Sequence, residues 1–247
     1  MTAIWAHRGS RLRAPENTMQ AFELAVAEGA DGIELDVHLT SDGHLVVRHD
    51  PTVTLLDGST VLIRDLTLDQ LQGVDVRGAH EGSHACGALR VPELAEVLDL
   101  LAPTSLTLNV EIKNGHVLYQ GIEAAVIASH RASGMAERIV YSSFNHVTLV
   151  DLSEREPSVS IAPLYEEALF EPWDYARRMG AQAAHSHYLA LGLAGMIDGF
   201  AAAGMAVRAW TVNTDADMRA LIGAGIDAII TDDPAAAVAV RDEVEGR

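Results

Sequence analysis

The chain has 247 residues, of which 49% are hydrophobic, so it can bury one large core, and this length is typical of a single α/β barrel. Its formal net charge of −18 repels nucleic-acid backbones and anionic membrane surfaces, so neither is predicted as a partner. The single cysteine, Cys86, excludes an intrachain disulfide, which is typical of a reducing compartment. The sequence shows no basic leader and no apolar run of about 18 residues, so we predict a cytoplasmic protein without stable membrane insertion.

Short β-like runs alternate with helical runs along the chain, and glycines stand at many helix-to-strand joints. Such alternation is typical of parallel βαβ units, so we predict an α/β barrel that forms a single domain over residues 1–247. The predicted strands are Ala3–His7, Gly32–Leu39, Leu45–His49, Leu106–Ile112, Arg138–Ser142, Val159–Pro163, Gln182–His185, Met205–Thr211 and Asp227–Thr231. The predicted helices are Thr18–Glu28, Pro92–Leu101, Val117–Ser133, His146–Glu154, Trp173–Met179, Gly192–Ala203, Asp215–Ile222 and Pro234–Val244.

Nine predicted strands are one more than an eight-stranded barrel needs. The second and third are separated by only five residues, too few for a helical crossover, and these include Asp42-Gly43, a strong hairpin-turn signal. We therefore predict an antiparallel hairpin. A two-residue turn there would place Asp36 opposite His49, and would put Glu34, Asp36 and His49 on one face of the hairpin.

Residues 51–91 interrupt this rhythm. They carry several turn glycines and one helix-like patch, Thr67–Gln72. They hold too few apolar residues for a core of their own, so we predict a small insertion over the barrel mouth.

Polar clusters stand at the carboxyl ends of four predicted strands, where apolar residues would be expected. In barrels these ends meet at the active-site rim. Two histidines offer proton transfer, one arginine and one lysine suit a phosphate, and a Glu-Asp-Glu oxygen set without cysteine suits Mg²⁺ or Ca²⁺. The clusters are His7-Arg8-Gly9, Glu34-Leu35-Asp36, His49-Asp50 and Glu111-Ile112-Lys113.

Three of these four clusters also have a purely structural interpretation. His7 could be a satisfied histidine beside a surface arginine, Glu34 and Asp36 could be solvated edge carboxylates, and Glu111 with Lys113 could be a local ion pair. It is the occurrence of all four at strand ends that favours a catalytic site.

Several further residues have two interpretations. Asn17 with Gln20 resembles a capping box, although Asn17 could also contact a substrate. Trp210 could stack on an alcohol or pack in the core, and Phe144 could line the pocket. His185 and His187 have metal-like spacing but no third ligand, so ordinary mouth residues are favoured. The segment Thr231-Asp232-Asp233-Pro234 is typical of a helix N-cap with proline at the first helical position.

Taken in order, these motifs resemble the glycerophosphodiester phosphodiesterase family, and the resemblance covers essentially the whole chain. It implies a TIM (β/α)8 barrel with a small insertion at the C-terminal rim, and a role in lipid and glycerol metabolism. Many family members carry an Arg-Thr pair soon after the His-Asp, where this chain has Thr52-Val53-Thr54 instead, so the head-group preference stays open. The motifs are His7-Arg8-Gly9, Pro15-Glu16-Asn17-Thr18, Glu34-x-Asp36, His49-Asp50, Glu111-Ile112-Lys113 and Trp210-Thr211-Val212-Asn213.

By motif position, the resemblance implies hydrolysis of a small glycerophosphodiester to glycerol 3-phosphate and an alcohol. It implies His7 and His49 as the acid/base pair. From these residues we hypothesise that the glycerol 2-hydroxyl attacks phosphorus to form a cyclic phosphate, and we favour His49 as the first base because it should lie beside the metal carboxylates. The other implied roles are one divalent ion, Mg²⁺ or Ca²⁺, on Glu34, Asp36 and Glu111; phosphate contacts from Arg8 and Lys113; and a glycerol-side wall at Trp210.

Two alternatives stay open at this point. One is a phosphate-ester-binding barrel with weak or no catalysis. The other is an aldolase- or isomerase-type barrel in which Lys113 forms a Schiff base, although Glu111 close by argues against it. The sequence is compatible with a monomer or a homo-oligomer.

Overall fold

A computed structural model describes residues 1–55, 58–74 and 90–247 of the chain. Eight parallel strands close into a TIM barrel in the order β1-β2-β6-β7-β8-β9-β10-β11, and the barrel closes because β1 pairs with both β2 and β11. The strands are β1 (Ala3–His7), β2 (Gly32–Leu39), β3 (Leu45–Val47), β4 (Thr52–Thr54), β5 (Thr60–Leu62), β6 (Thr107–Ile112), β7 (Ile139–Ser143), β8 (Ser160–Tyr165), β9 (Ala183–His187), β10 (Ala206–Trp210) and β11 (Ala228–Thr231).

Helices lie between the barrel strands in the chain and cover the outer face of the sheet. The outward side chains of β2, Ile33 and Leu35, are fully buried in one large apolar cluster with helical residues such as Phe22 and Leu98. The helices are α1 (Met19–Ala27), α2 (Leu68–Gln72), α3 (Leu94–Leu101), α4 (Ile122–Ala132), α5 (His146–Arg155), α6 (Pro172–Arg178), α7 (Tyr188–Leu191), α8 (Met196–Ala203), α9 (Asp215–Gly223) and α10 (Pro234–Glu245).

The barrel interior holds a second, smaller apolar cluster in which Trp5 packs with Val140, Ala162 and Ile230. Gly32 makes room for the indole, because a Cβ at this position would lie 2.7 Å from Trp5 Cδ1. This cluster fills the barrel below its carboxyl end, so the polar residues above it face a cavity with a solid floor.

The β2–β3 hairpin is confirmed, but its predicted register is wrong by one residue. Leu39 pairs with Leu45 and Val37 with Val47, and Arg48 N–H donates to the carbonyl of Asp36 at 3.0 Å. Three residues rather than two form the loop, and its last residue, Gly43, has φ of +89°, the conformation of a three-residue loop closed by a glycine bulge. Asp36 therefore lies opposite Arg48, and His49 lies beyond the end of β3.

Two predicted helices begin too early. The run predicted from Val117 becomes helical only at Ile122, after Gly121 adopts a φ of +91°. The run predicted from Gly192 becomes helical at Met196, after Gly195 at φ +78°, and a separate short helix, α7, precedes it. A glycine in the left-handed region fixes the start of each helix, because other residues rarely adopt this conformation.

The segment between 51 and 91 is described only in part, and Cys86 lies outside the described residues. Strands β4 and β5 form an antiparallel hairpin, and the predicted helical patch is α2, which begins with a capping box between Thr67 and Gln70. A small cluster of buried apolar side chains joins this segment to Val46 of β3. The segment therefore packs directly against the hairpin that follows β2.

Candidate active site

A cavity of about 140 Å³ opens at the carboxyl ends of the barrel strands. All four polar clusters predicted from the sequence contribute to its wall or lie directly behind it. It is lined by His7, Arg8, Glu34, His49, Asn109, Glu111, Lys113, Phe144, Leu164, Trp210, Thr211 and Ile230.

Three buried carboxylates converge beside this cavity. Glu34 and Asp36 share one face of β2, and Glu111 stands in register with Asp36 on the neighbouring strand β6. One oxygen from each residue lies within 4.8 Å of the others, in a set that could hold a metal ion. Carboxylate oxygens without a thiolate are the donors that a hard divalent cation prefers, so these residues fit Mg²⁺ or Ca²⁺.

The electrostatics of the three carboxylates also favour a bound cation. Burial, and then the negative charges of Asp36 and Glu111, hold the pKa of Glu34 well above its usual range. Burial also raises the pKa of Glu111 to about 7. For Asp36 burial acts in the same direction, but Lys113 and Arg8 outweigh it and hold the pKa of this carboxyl well below its usual range. A divalent cation would relieve the repulsion that disfavours ionised Glu34.

Two cations contact the triad. Lys113 Nζ lies 2.9 Å from Asp36 Oδ1 and 2.6 Å from Glu111 Oε1. Arg8 Nε lies 3.2 Å from Asp36 Oδ2, and Arg8 Nη1 donates to Glu16 Oε1 at 2.9 Å. Two carboxylates at Lys113 raise its pKa despite burial, so its amine is held protonated. A Schiff base needs the neutral amine, and this geometry disfavours that alternative.

The His7 imidazole is held by a residue that sequence reasoning missed. His7 Nδ1 lies 2.6 Å from Asp232 Oδ1, and His7 Nε2 lies 4.0 Å from Glu34 Oε2. Since an ionised carboxylate only accepts, Nδ1 carries the hydrogen and Nε2 faces the cavity. Burial lowers the pKa of His7, and the bond to Asp232 opposes that shift.

The sequence pattern predicts Asp232 only as part of a helix start. The N-cap of α10 is confirmed at Asp233, whose side chain accepts from Ala236 N–H, with proline next in the chain. Asp232 instead points to His7 because β11 and β1 are neighbours in the closed barrel. The contact could have been found from the sequence, because Asp232 follows the last barrel strand, and the last strand of a closed barrel lies beside the first, which carries His7.

His49 also lines the cavity and lies two residues beyond the end of β3. Its Nδ1 lies 2.9 Å from Asp50 Oδ1, and its side chain is 37% exposed. Burial of the rest of the ring lowers the pKa of His49. His49 also lines a larger adjoining groove of about 630 Å³ that runs past Pro51, His116 and Val117. The cavity and the groove together place His49 between two compartments.

The capping-box interpretation of Asn17 is wrong. Thr18 is the N-cap of α1 and accepts from Ala21 N–H, while Asn17 has φ of +55° and is buried. Its side-chain amide donates to Asp36 Oδ2 at 2.8 Å, and its main-chain N–H donates to the carbonyl of Arg8 at 3.0 Å. Asn17 therefore fixes one oxygen of the acidic triad.

Two aromatic side chains form the apolar wall of the cavity. Phe144 and Trp210 meet edge to face with ring centroids 5.5 Å apart, and Trp210 Nε1 donates to the carbonyl of His185 at 3.1 Å. His185 is buried against Trp5 and bonds to Arg208, whereas His187 packs on Trp210. These two histidines do not form a joint site. The prediction that both are mouth residues is wrong for His185, which is buried inside the barrel.

The chain is similar in sequence to known proteins over most of its length. The profile of the Glycerophosphoryl diester phosphodiesterase family matches residues 7–236. The chain is 42% identical to a glycerophosphodiester phosphodiesterase of Caldanaerobacter subterraneus subsp. tengcongensis, over 94% of this chain and 95% of that protein. It is 35% identical to one from Bacillus altitudinis, over 99% and 100% of the two chains.

Solved structures of similar proteins share the fold over nearly the full length. A glycerophosphodiester phosphodiesterase from Agrobacterium tumefaciens superposes with a TM-score of 0.82 at 27% identity, covering 97% of this chain and 100% of the other. An Oleispira antarctica phosphodiesterase in complex with the product sn-glycerol-3-phosphate gives a TM-score of 0.81 at 25% identity, with 98% and 97% covered. Among the described helices, none has the length and apolar character to cross a membrane.

Proposed function

The chain belongs to the glycerophosphodiester phosphodiesterase family, and from this premise we propose that it hydrolyses glycerophosphodiesters by metal-assisted, two-histidine catalysis through a cyclic phosphate. The observation that carries the proposal is the arrangement around one cavity. Three converging carboxylates, two cations and two imidazoles supply the groups that in-line displacement at phosphorus requires.

Glu34, Asp36 and Glu111 would hold one divalent ion, Mg²⁺ or Ca²⁺. When bound, such an ion lowers the pKa of the glycerol 2-hydroxyl and neutralises charge on a phosphate oxygen. Asn17 donates to Asp36, so we assign it to orienting this ligand, in addition to the substrate contact predicted from the sequence.

The two histidines divide the proton transfers. We assign His49 as the first base: it takes the proton of the glycerol 2-hydroxyl while that oxygen attacks phosphorus. His7 gives its Nε2 proton to the departing alcohol oxygen as the phosphorus–oxygen bond breaks. Asp232 stabilises the imidazolium that His7 needs for this role. Water then opens the cyclic phosphate with the roles reversed, which yields glycerol 3-phosphate and restores both histidines.

The remaining side chains bind the substrate. Arg8 and Lys113 lie on the cavity wall beside the triad and would neutralise charge on the phosphoryl oxygens, a contribution of about 3 kcal/mol for a preorganised donor. The edge-to-face pair of Phe144 and Trp210 would form the wall for the glycerol carbons. The product seen in the Oleispira protein, sn-glycerol-3-phosphate, is the product proposed for this chain.

The same proposal includes the domain organisation, the location and the metabolic role of the protein. Residues 1–247 would form one domain, with 51–91 as an insertion beside the site. Its substrate would be a small molecule in the cytoplasm, and a role in lipid and glycerol metabolism follows from that substrate.

The decisive experiment is turnover of a panel of glycerophosphodiesters followed by phosphorus NMR, with the enzyme as purified, after EDTA, and after Mg²⁺ or Ca²⁺ is restored. We expect glycerol 3-phosphate to form, activity to vanish with EDTA, and one of the two ions to restore it. Full activity of a demonstrably metal-free enzyme would contradict the metal assignment. Tight binding of the diesters with no turnover under any condition would instead support a phosphate-ester-binding barrel.

A further inference from the structure

His38 is a buried histidine to which the proposed chemistry assigns no role. It continues the face of β2 that carries Glu34 and Asp36, and it is only 1% exposed. Both of its ring nitrogens have partners: Nε2 lies 3.0 Å from the main-chain carbonyl oxygen of His49, and Nδ1 lies 2.7 Å from the hydroxyl of Tyr119. The ring therefore joins a proposed catalytic residue to a tyrosine from the segment before α4.

These two partners determine where the hydrogens lie. A carbonyl oxygen can only accept, so His38 Nε2 carries the hydrogen and donates it to His49. His38 Nδ1 then has only a lone pair, so the hydroxyl of Tyr119 must be the donor to it. A directed series of hydrogen bonds runs from Tyr119 through His38 to the backbone of His49.

The backbone of His49 needs such a support, because it lies beyond the ladder between β2 and β3. Main-chain bonds hold its flanks, from Arg48 N–H to Asp36 at 3.0 Å and from Ile63 N–H to Pro51 at 2.9 Å. His38 holds the peptide of His49 itself. Since the imidazole of His49 is more than one third exposed, its position depends on where this peptide is fixed.

The same series reaches the loop that begins with Lys113. Tyr119 is 4% exposed, and its main-chain N–H donates to Asn114 Oδ1 at 2.8 Å. Asn114 directly follows Lys113, and its own carbonyl accepts from Asn145 Nδ2 at 2.7 Å. His38 and Tyr119 thus join the segment that carries His49 to the segment that carries Lys113.

We propose that His38 is a positioning residue that holds the His49 imidazole in its catalytic place through the His49 carbonyl, with Tyr119 fixing the tautomer that makes this possible. The proposal rests on the role of His49 in the proposed function. The competing explanation is that His38 and Tyr119 only pack the barrel.

The molecule contains a matched control for that explanation. His130 and Tyr141 form another buried histidine–tyrosine pair, with the hydroxyl 3.3 Å from Nδ1, and His130 Nε2 faces Ser158 at 3.4 Å. This pair contacts none of the proposed catalytic residues. Tyr141→Phe should therefore have the same packing effect as Tyr119→Phe without an effect on His49.

The kinetic test compares His38→Leu with His38→Gln, because the glutamine amide can still donate to the His49 carbonyl. We expect His38→Leu to lower kcat by about 10- to 100-fold, the usual effect of a small misplacement of a catalytic group, with KM nearly unchanged. His38→Gln should recover most of kcat, Tyr119→Phe should lower it by a smaller factor, and Tyr141→Phe should leave it unchanged.

The decisive experiment is a double-mutant cycle that combines His38→Leu with His49→Ala. If His38 acts through the imidazole, His38→Leu should cost nothing further once that imidazole is gone. An equal loss in both backgrounds, or a His38→Gln variant as impaired as His38→Leu, would overturn the proposal.

A second readout does not depend on turnover. The ring resonances of His49, assigned by their loss in His49→Ala, should shift or broaden in His38→Leu and stay in place in His38→Gln and Tyr141→Phe. Unchanged His49 resonances in His38→Leu would refute the positioning role even in an active enzyme. Conversely, a wild-type protein that turned over no glycerophosphodiester would refute the proposed function, while the resonances would still decide whether His38 positions His49.

Discussion

Replacing Asp232 by asparagine tests whether the carboxylate behind His7 sets the chemistry of that ring. The side chain is anchored on two sides, by His7 Nδ1 at 2.6 Å on Oδ1 and by Asn213 Nδ2 at 2.8 Å on Oδ2. In Asp232→Asn the amide oxygen must keep accepting from Asn213, which turns the amide NH₂ toward His7. The ring would then accept at Nδ1 and carry its hydrogen on Nε2.

This change removes two properties at once. The imidazolium of His7 loses its anionic partner, and the neutral ring presents a hydrogen rather than a lone pair to the cavity. A charge-assisted hydrogen bond contributes about 1.5–3 kcal/mol, which corresponds to roughly 10- to 150-fold in kcat. Because Arg8 and Lys113 are untouched, KM should change by less than about threefold.

The assay is steady-state turnover of a glycerophosphodiester together with nitrogen NMR of His7, which reports the tautomer directly. Asp233→Asn is the matched control, since it removes the same charge one residue away while asparagine still caps α10. A kcat for Asp232→Asn within about twofold of wild type would refute the reasoning, as would an equal loss in Asp233→Asn.

Four further outcomes are expected. Glu34→Gln should abolish calorimetric binding of Mg²⁺ or Ca²⁺ and activity, yet leave the metal-free protein at least as stable, because it replaces a carboxyl whose ionised form is disfavoured by burial and like charge; retained metal binding would refute the ligand assignment. His7→Ala and His49→Ala should each lower kcat by about 10²-fold or more and combine less than additively, so a near-normal kcat at either position would remove it from the acid/base pair. A substrate that lacks the glycerol 2-hydroxyl should bind but turn over poorly, and the natural substrate should give a cyclic phosphate in rapid-quench samples; equal kcat for the two would make water the nucleophile. Burial lowers the pKa of His185, whose unfolded-state pKa is about 6.5, so the stability that the neutral ring contributes should be complete above pH 6.5 and fall by up to about 2 kcal/mol at pH 5. In urea titrations, the free energy of unfolding of His185→Gln should fall less between pH 6.5 and pH 5 than that of the wild type. An identical pH dependence of the two proteins would contradict the assignment.

The barrel was predictable because its signals are local. Alternation of strand and helix needs only short apolar periods and glycine stops, and each of the nine predicted strands corresponds to an observed one. The hairpin register was not predictable from Asp42-Gly43, because that pair suits both a two-residue turn and the end of a three-residue loop. Because the loop has one residue more than predicted, Arg48 and not His49 lies opposite Asp36.

The parts of the site that escaped prediction depend on contacts between distant segments. Asp232 meets His7 across 225 positions of sequence, and His38 meets Tyr119 across 81. The capping-box interpretation of Asn17 fails because its neighbour Thr18, which is the N-cap, is chemically almost equivalent in that role. The acidic triad was easier, since carboxylates at the ends of buried strands have few structural explanations.

The charges around the cavity explain why metal and substrate should depend on each other. Three buried carboxylates, Glu34, Asp36 and Glu111, lie beside two cations, Arg8 and Lys113, which contact Asp36 and Glu111. These five groups carry one negative charge in excess when all are ionised. A phosphodiester monoanion would meet repulsion there. A divalent ion converts the excess into one positive charge, which a single phosphodiester neutralises. Burial and the charges of Asp36 and Glu111 hold the pKa of Glu34 well above its usual range, so the ionised form of this ligand is disfavoured when no cation is bound. Substrate affinity should therefore fall steeply when the metal is removed, because the site is close to electrically balanced only with both bound.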